Sequence, residues 1–225
     1  MLLVESGLGT RAGLAYAKEY NRICKVKYKE YYILKCDISG FFANIDHDIL
    51  KEKLYKKIKD KEALKIIEDI IDSYTSGIGI GNMTSQILAI FYLNDLDHYI
   101  KEVLKIKYYV RYQDDFLLFH ESKSYLKHCL YCIEKFLDKE KLKLNKKSRL
   151  YKNTNNFIFL GRTHYCKSAK YRVAKRRIKK NKFLYYNGKI KLNSLVSSIV
   201  ASHKFKWQFC RKFPNKIQVK QKKSK

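Results

Sequence analysis

A single proline, Pro214, and the lack of any Pro/Ser-rich stretch leave this 225-residue chain without a linker marked by composition. It has room for one large domain or two small ones. No apolar run reaches the ~18 residues that a spanning helix needs, so no membrane partner is expected. The N-terminus lacks the basic-then-apolar pattern of a secretory signal. With no such signal, six irregularly spaced cysteines point to reduced thiols and a cytoplasmic location. Cys129-x-x-Cys132 has no second pair to complete a zinc site and reads as core or chance; the spacing of His128, His164 and Cys166 does not ask for a metal either. The most uneven absence is of acid: none follows Glu140. Residues 1–140 carry 22 Lys+Arg against 21 Asp+Glu, whereas residues 141–225 carry 27 Lys+Arg and no acid. The formal net charge of +28 therefore resides almost wholly in the last third. A surface of one sign attracts a polyanion, and nucleic acid is the expected partner. An anionic membrane fits less well, because no apolar face suits insertion.

What is present reads as alternating helices and strands around apolar runs. Gly7 and Gly9 mark residues 1–9 as a loop, and Thr10 is placed to cap a helix to Lys25. A strand over 31–37 follows. Asp46 caps a helix to about Lys57, and Asp60 caps another over 61–74 with Leu64, Ile67, Ile70 and Ile71 on one face. Ser76 to Asn82 is a glycine-rich loop, by itself a weak signal, running into a long helix over about 84–104. Ser122 caps a helix to about Glu140. A short strand or turn at 142–145, a strand over 157–161 and its hairpin partner over 162–166 come next. Basic helical patterns occupy 172–184, 190–201 and 203–212, and the final ~12 residues lack apolar periodicity.

The segment with most chemistry is Tyr108 to Phe119, two apolar runs flanking Gln113-Asp114-Asp115. It reads as a β-hairpin with two carboxylates at the turn. Adjacent carboxylates repel, and a bound divalent cation reverses that cost; solvated turn aspartates are the plainer alternative. The strand Tyr31 to Asp37 ends on a third carboxylate. Three carboxylates on neighbouring strand ends make a cage for two Mg²⁺ ions, with Mn²⁺ as a substitute. Such ions stabilise the attacking and leaving oxygens of an in-line phosphoryl displacement.

At these residues the chain resembles a bacterial reverse transcriptase. Lys35-Cys36-Asp37-Ile38-Ser39-Gly40-Phe41-Phe42 is similar to the family's first catalytic-aspartate motif. Ile80-Gly81-Asn82-Met83-Thr84-Ser85-Gln86 is similar to its nucleotide- and template-contacting motif, and Tyr112-Gln113-Asp114-Asp115 to Tyr-x-Asp-Asp. Leu144-Asn145-Lys146-Lys147 resembles the following lysine motif, and Phe159-Leu160-Gly161 the primer grip. Each block is weak, but five in the family's order are specific. The resemblance implies an α/β (α+β) fold: a right-hand polymerase palm with an antiparallel sheet backed by helices, partial fingers and a helical basic thumb. Fingers would fall at 1–30, the palm at 31–165 with finger-like helices at 46–74, and the thumb and basic tail at 166–225. Asp37, Asp114 and Asp115 would be catalytic, with Ile38 beside them in the metal set. Phe42, Ile80, Gly81, Gln86 and Lys147 would meet the nucleotide. Tyr112, Gln113, Phe159, Leu160 and Gly161 would meet primer or template. The plainer alternative for Phe42 is a core side chain, Lys147 reads almost equally as a solvated lysine, and Arg111 is open to a template or primer contact.

Ile80 stands where most relatives carry Gln, which resembles the error-prone enzymes of diversity-generating retroelements. Some defence-linked and unassigned bacterial reverse transcriptases share the feature, so a defence polymerase of the abortive-infection type is a rival reading. An earlier fingers block looks missing, so a truncated form that only binds nucleic acid is the alternative. The implied activity is RNA-directed DNA polymerisation. Its implied partners are an RNA template, a DNA or RNA primer and dNTPs, with an accessory protein left open. Tyr171, Tyr185, Tyr186, Phe205 and Trp207 read as core or stacking groups of that thumb, most of them more readily as core.

Overall fold

The computed structural model describes residues 10–167, 170–173 and 175–200. Helix α1 (Thr10–Lys27) begins at Thr10 itself. Strand β1 (Tyr32–Asp37) leads through a 3₁₀ turn at Phe41–Asn44 to α2 (His47–Lys57) and α3 (Lys61–Asp72). Asp46 caps α2 by accepting the Ile49 N–H, and Asp60 caps α3 from Glu62 and Ala63, as their positions predict.

The long helix expected over 84–104 is three pieces. Helix α4 (Met83–Tyr92) is capped by Asn82, whose Oδ1 accepts the Ser85 N–H at 2.8 Å. The chain then re-aims at Leu93 into α5 (Asn94–His98) and a π-helical turn over Tyr99–Val103. The break has a packing consequence: Leu93, Leu96, Ile100 and Leu104 all reach the core, and Asp97 is turned inward. Strands β2 (Tyr108–Tyr112) and β3 (Asp115–His120) form the expected hairpin. Helix α6 (Lys123–Lys139) is capped by Ser122. Strand β4 (Arg149–Lys152) follows, then β5 (Phe157–Phe159) and β6 (Arg162–Tyr165).

The main sheet has the order β2-β3-β1-β4, every pairing antiparallel. Side chains alternate between its faces. Leu34, Cys36, Tyr109, Phe116 and Leu118 pack with Leu88 and Tyr92 of α4 and Leu126, Ile133 and Leu137 of α6. Ile33, Val110, Leu117 and Phe119 pack on the other face with Ala17 and Cys24 of α1 and with Phe157 and Phe159. Each fully buried Leu, Ile or Phe contributes about 1.5–3 kcal/mol. Parity then decides where the polar residues go: Lys35 and Asp37 share the face of Ile33, and Asp115 that of Leu117.

The chain divides into two compact units, residues 1–160 with 164–170, and residues 161–163 with 171–225. The second holds β7 (Lys170–Val173, from Tyr171 on), α7 (Lys175–Tyr186) and α8 (Leu192–Val200). Gly188, at φ 68°, closes α7 in a left-handed conformation, donating to the Tyr185 carbonyl at 3.0 Å. Tyr186 is 76% exposed, so of the two readings open to the thumb aromatics the core one does not apply to it. Phe205 and Trp207, the 203–212 pattern and the final ~12 residues lie outside the described residues, as does the side chain of Tyr171. The five cysteines among the described residues are free. No helix among them is long and apolar enough to cross a membrane.

Candidate active site

Asp37 closes β1 and pairs across the ladder with Asp115, the first residue of β3. Ile38, buried, donates its N–H to the Asp114 carbonyl at 3.2 Å. The three aspartates expected to act together therefore lie on adjoining strand ends. The turn between β2 and β3 is Gln113-Asp114, and Gln113 has φ 55°. That is the first central position of a two-residue hairpin turn, where a positive φ is one that glycine usually supplies.

A buried arginine over-determines this turn. Arg111 Nη1 donates to the Gln113 carbonyl at 3.0 Å. Its Nε and Nη2 fork onto Asp97 at 2.8 and 2.5 Å. Tyr109 Oη donates to the same carboxylate at 2.6 Å. Arg111 is 0% exposed, which overturns a template or primer contact for it: its charge is spent on Asp97 and on the turn. Sequence reading missed Asp97, although an arginine inside an apolar strand is a signal for a buried acidic partner.

Two further side chains hold the carboxylates. Lys35 Nζ lies 3.0 Å from the Asp115 carboxylate. Asn145 Nδ2 donates to Asp37 Oδ2 at 2.9 Å, and the Asn145 N–H donates to the Asp37 carbonyl at 2.7 Å. Lys35 sits two residues before Asp37 on one strand, so their common face was readable from parity. Burial raises Asp114 above the ordinary carboxylate value, and the charge of Asp37 adds to that. Burial pushes Asp115 up to about 6, with Lys35 pulling the other way.

Among the described residues, no three His, Cys, Asp or Glu side chains form a ready-made metal centre. The site offers instead two neighbouring hard carboxylates, Asp37 and Asp114, whose mutual repulsion a cation relieves. That donor set fits Mg²⁺, which keeps several waters and takes one or two carboxylates plus substrate phosphates.

The remaining expected residues spread around this centre. Tyr112 ends β2, half-buried, opposite Asp115. Phe42 is half-buried against Phe41, their rings 5.5 Å apart. Its carbonyl accepts the Ile78 N–H at 2.8 Å, fastening the glycine-rich loop to the first aspartate motif. Gly77, at φ 59°, permits this, since a Cβ there would stand 2.3 Å from the Phe42 oxygen. Ile80 (84% exposed), Gly81 and Gln86 lie on the surface. Lys147 is exposed, its N–H bonded to Asn145 Oδ1 at 3.1 Å. Phe159 is fully buried, so its side chain is core and cannot touch a primer. Leu160 and Gly161 form the turn, at φ 48° and 71°, a pair that suits type I′.

These features agree with independent likenesses. The solved telomerase of Candida albicans, in complex with a fragment of telomeric RNA, superposes with a TM-score of 0.62 at 14% identity, over 76% of this chain and 35% of that one. Apo telomerase of Candida tropicalis gives 0.59 at 17% identity, over 78% and 37%. The C. tropicalis telomerase with its RNA fragment gives 0.60 at 16%, over 81% and 37%. The chain thus spans little more than a third of these telomerases, and the shared part is the fold: a helix-backed antiparallel palm sheet. No curated protein sequence matches. The family described as reverse transcriptase (RNA-dependent DNA polymerase) matches residues 5–164, well over half of the chain. The chain belongs to the reverse transcriptase family.

Proposed function

We propose that this protein is an RNA-directed DNA polymerase whose reaction centre is Asp37 and Asp114, supported by Asp115. The observation that carries the proposal is the pairing of Asp37 with Asp115 across β1 and β3, beside the turn that carries Asp114. The aspartates would hold two Mg²⁺ ions, which supply charge stabilisation to an in-line phosphoryl transfer. Phe42 and the loop from Ile80 to Gln86 would face the incoming nucleotide, and Lys147 its phosphates. Tyr112, Gln113, Leu160 and Gly161 would face primer and template. Residues 31–165 would be the palm, 1–30 part of the fingers and 166–225 the thumb. The unbroken basic character of 141–225 supports a nucleic-acid grip there.

Within the family, Ile80 in place of glutamine favours an error-prone bacterial retroelement enzyme. Its exposure leaves an apolar side chain where a hydrogen-bonding amide would otherwise discriminate between bases. A second reading, nucleic-acid binding without catalysis, rests on the same basic segment. Primer extension on an RNA template with Mg²⁺, beside Asp114→Asn, separates the two. Extension by the parent and none by the variant supports the polymerase. Extension that persists in the variant removes the metal assignment, and tight duplex binding with no extension by either protein favours the second reading.

A further inference from the structure

The polar contacts of Asn145 tie together two sites that the chain presents separately. Its backbone N–H and its side-chain Nδ2 both go to Asp37, to the carbonyl and the carboxylate respectively. Its Oδ1 accepts the N–H of Lys147, and its own carbonyl accepts the N–H of Ser148 at 2.9 Å. The amide has only one orientation that serves both neighbours. The Lys147 N–H can only donate, so it must meet Oδ1, which leaves Nδ2 for the carboxylate. Just before Asn145 the same segment is zipped to the first aspartate motif. Ser39 N–H donates to the Lys143 carbonyl at 2.9 Å, and Ile38 bridges Leu144. Asn145 is half-buried, so these bonds are made in partial shelter from water.

We infer that Asn145 is a positioning residue: it fixes the rotamer of the Asp37 carboxylate for a divalent cation and sets the Lys147 turn in register with it. The inference rests on the polymerase reading of Asp37. A carboxylate that must share an ion with Asp114 has to present one oxygen in one direction, and a fixed donor on the other oxygen does that. The amide also adds no charge to a site already crowded with acid, which an aspartate of the same shape would do. A loss or shift of this donor reaches Asp37 and Lys147 together, because one side chain serves both.

The test is Mn²⁺ binding by the full chain, read from the loss of the free-ion EPR signal. Parent, Asp114→Asn, Asn145→Ala and Asn145→Asp are compared, with thermal unfolding of each with and without Mn²⁺. The parent binds Mn²⁺ and Asp114→Asn binds it much more weakly. Asn145→Ala weakens binding about tenfold, the usual cost of deleting such an outer partner. Asn145→Asp keeps the shape and the Lys147 bond but sets a carboxylate against Asp37; it melts lower without metal and gains more from Mn²⁺ than the parent. Should Asn145→Ala fail to fold, the near-isosteric Asn145→Asp carries the test alone. Mn²⁺ affinity unchanged in Asn145→Ala overturns the inference, as does Asn145→Asp melting alike with and without the ion. Parent and Asp114→Asn binding Mn²⁺ equally overturns the polymerase reading itself and takes the inference with it.

Discussion

Two hairpin turns in this chain force a large side chain into backbone space that glycine prefers, and they are held by opposite means. Gln113, at φ 55°, is held by charge: Arg111 grips its carbonyl while forking onto Asp97 beneath the sheet. Leu160, at φ 48°, is held by packing. Its Cδ1 approaches Gly13 of α1 so closely that a Cβ added there would stand 3.2 Å away. A non-glycine residue in this region costs about 1–2 kcal/mol, so both turns persist only because the surroundings insist on them. The difference follows from position. The first turn carries Asp114 into a cluster of like charges, where an exact oxygen position matters and a rigid polar anchor supplies it. The second carries no ionisable group, and apolar contact suffices.

The comparison can be broken most forcefully at its charged anchor. Arg111→Met leaves the buried Asp97 carboxylate without its counter-charge, with the Tyr109 hydroxyl still donating to it, and chemical denaturation should show a loss of about 3–5 kcal/mol. Replacing Leu160 by alanine should cost less than half of that, because its anchor is contact area alone. An Arg111→Met loss no larger than the Leu160→Ala loss would erase the distinction.

The acid cluster gives a second, smaller effect that depends on pH. Asp115 has its folded value raised to about 6 by burial, against an ordinary value of about 3.9. The folded state therefore binds the proton more tightly than the unfolded one. In the metal-free protein this group favours folding at low pH, and the advantage is lost as pH rises from about 4 through about 6. Asp115→Asn should accordingly gain on the parent by about 2–3 kcal/mol between pH 4 and pH 7. Parallel stability curves for the two proteins would contradict the buried-carboxylate picture.

The smallest effect sharpens the comparison by sign. Gln113→Gly relieves the positive-φ strain and removes a buried amide oxygen that has no hydrogen-bond partner, so a net gain of about 0.5–1 kcal/mol is expected. Leu160→Gly relieves the same strain but deletes the contact with α1, and should lose about 1 kcal/mol. Equilibrium unfolding of the two variants side by side decides this, and matching signs would refute it.

Local chemistry was the legible part of this sequence. Asp46, Asp60 and Ser122 cap their helices because a cap needs only a donor a few residues on. The Gln113-Asp114 hairpin and the Asp37 strand end were equally readable, since alternation and turn residues are short-range signals. What escaped depends on distant partners. Asp97 sat inside an expected long helix, and only the break at Leu93 turns it towards Arg111. Asn145 was visible as a letter beside the lysines, but its contact with Asp37 joins residues more than a hundred positions apart. Phe159 stands in a primer-grip pattern, yet its side chain is core; its neighbour Leu160 makes the turn. Gly13 carried no signal at all, because the close approach of Leu160 to it is a contact between distant parts of the chain.

The central claim is that the strand ends bearing Asp37 and Asp114 join a primer to a nucleotide under the direction of RNA. Single-nucleotide incorporation measures it most directly: an annealed RNA template and primer, Mg²⁺, and each dNTP offered alone, with the parent beside Asp37→Asn. The account predicts one-residue extension by the parent that follows the template base, and none by the variant. Extension that ignores the template, extension that survives Asp37→Asn, or no extension by the parent would contradict it.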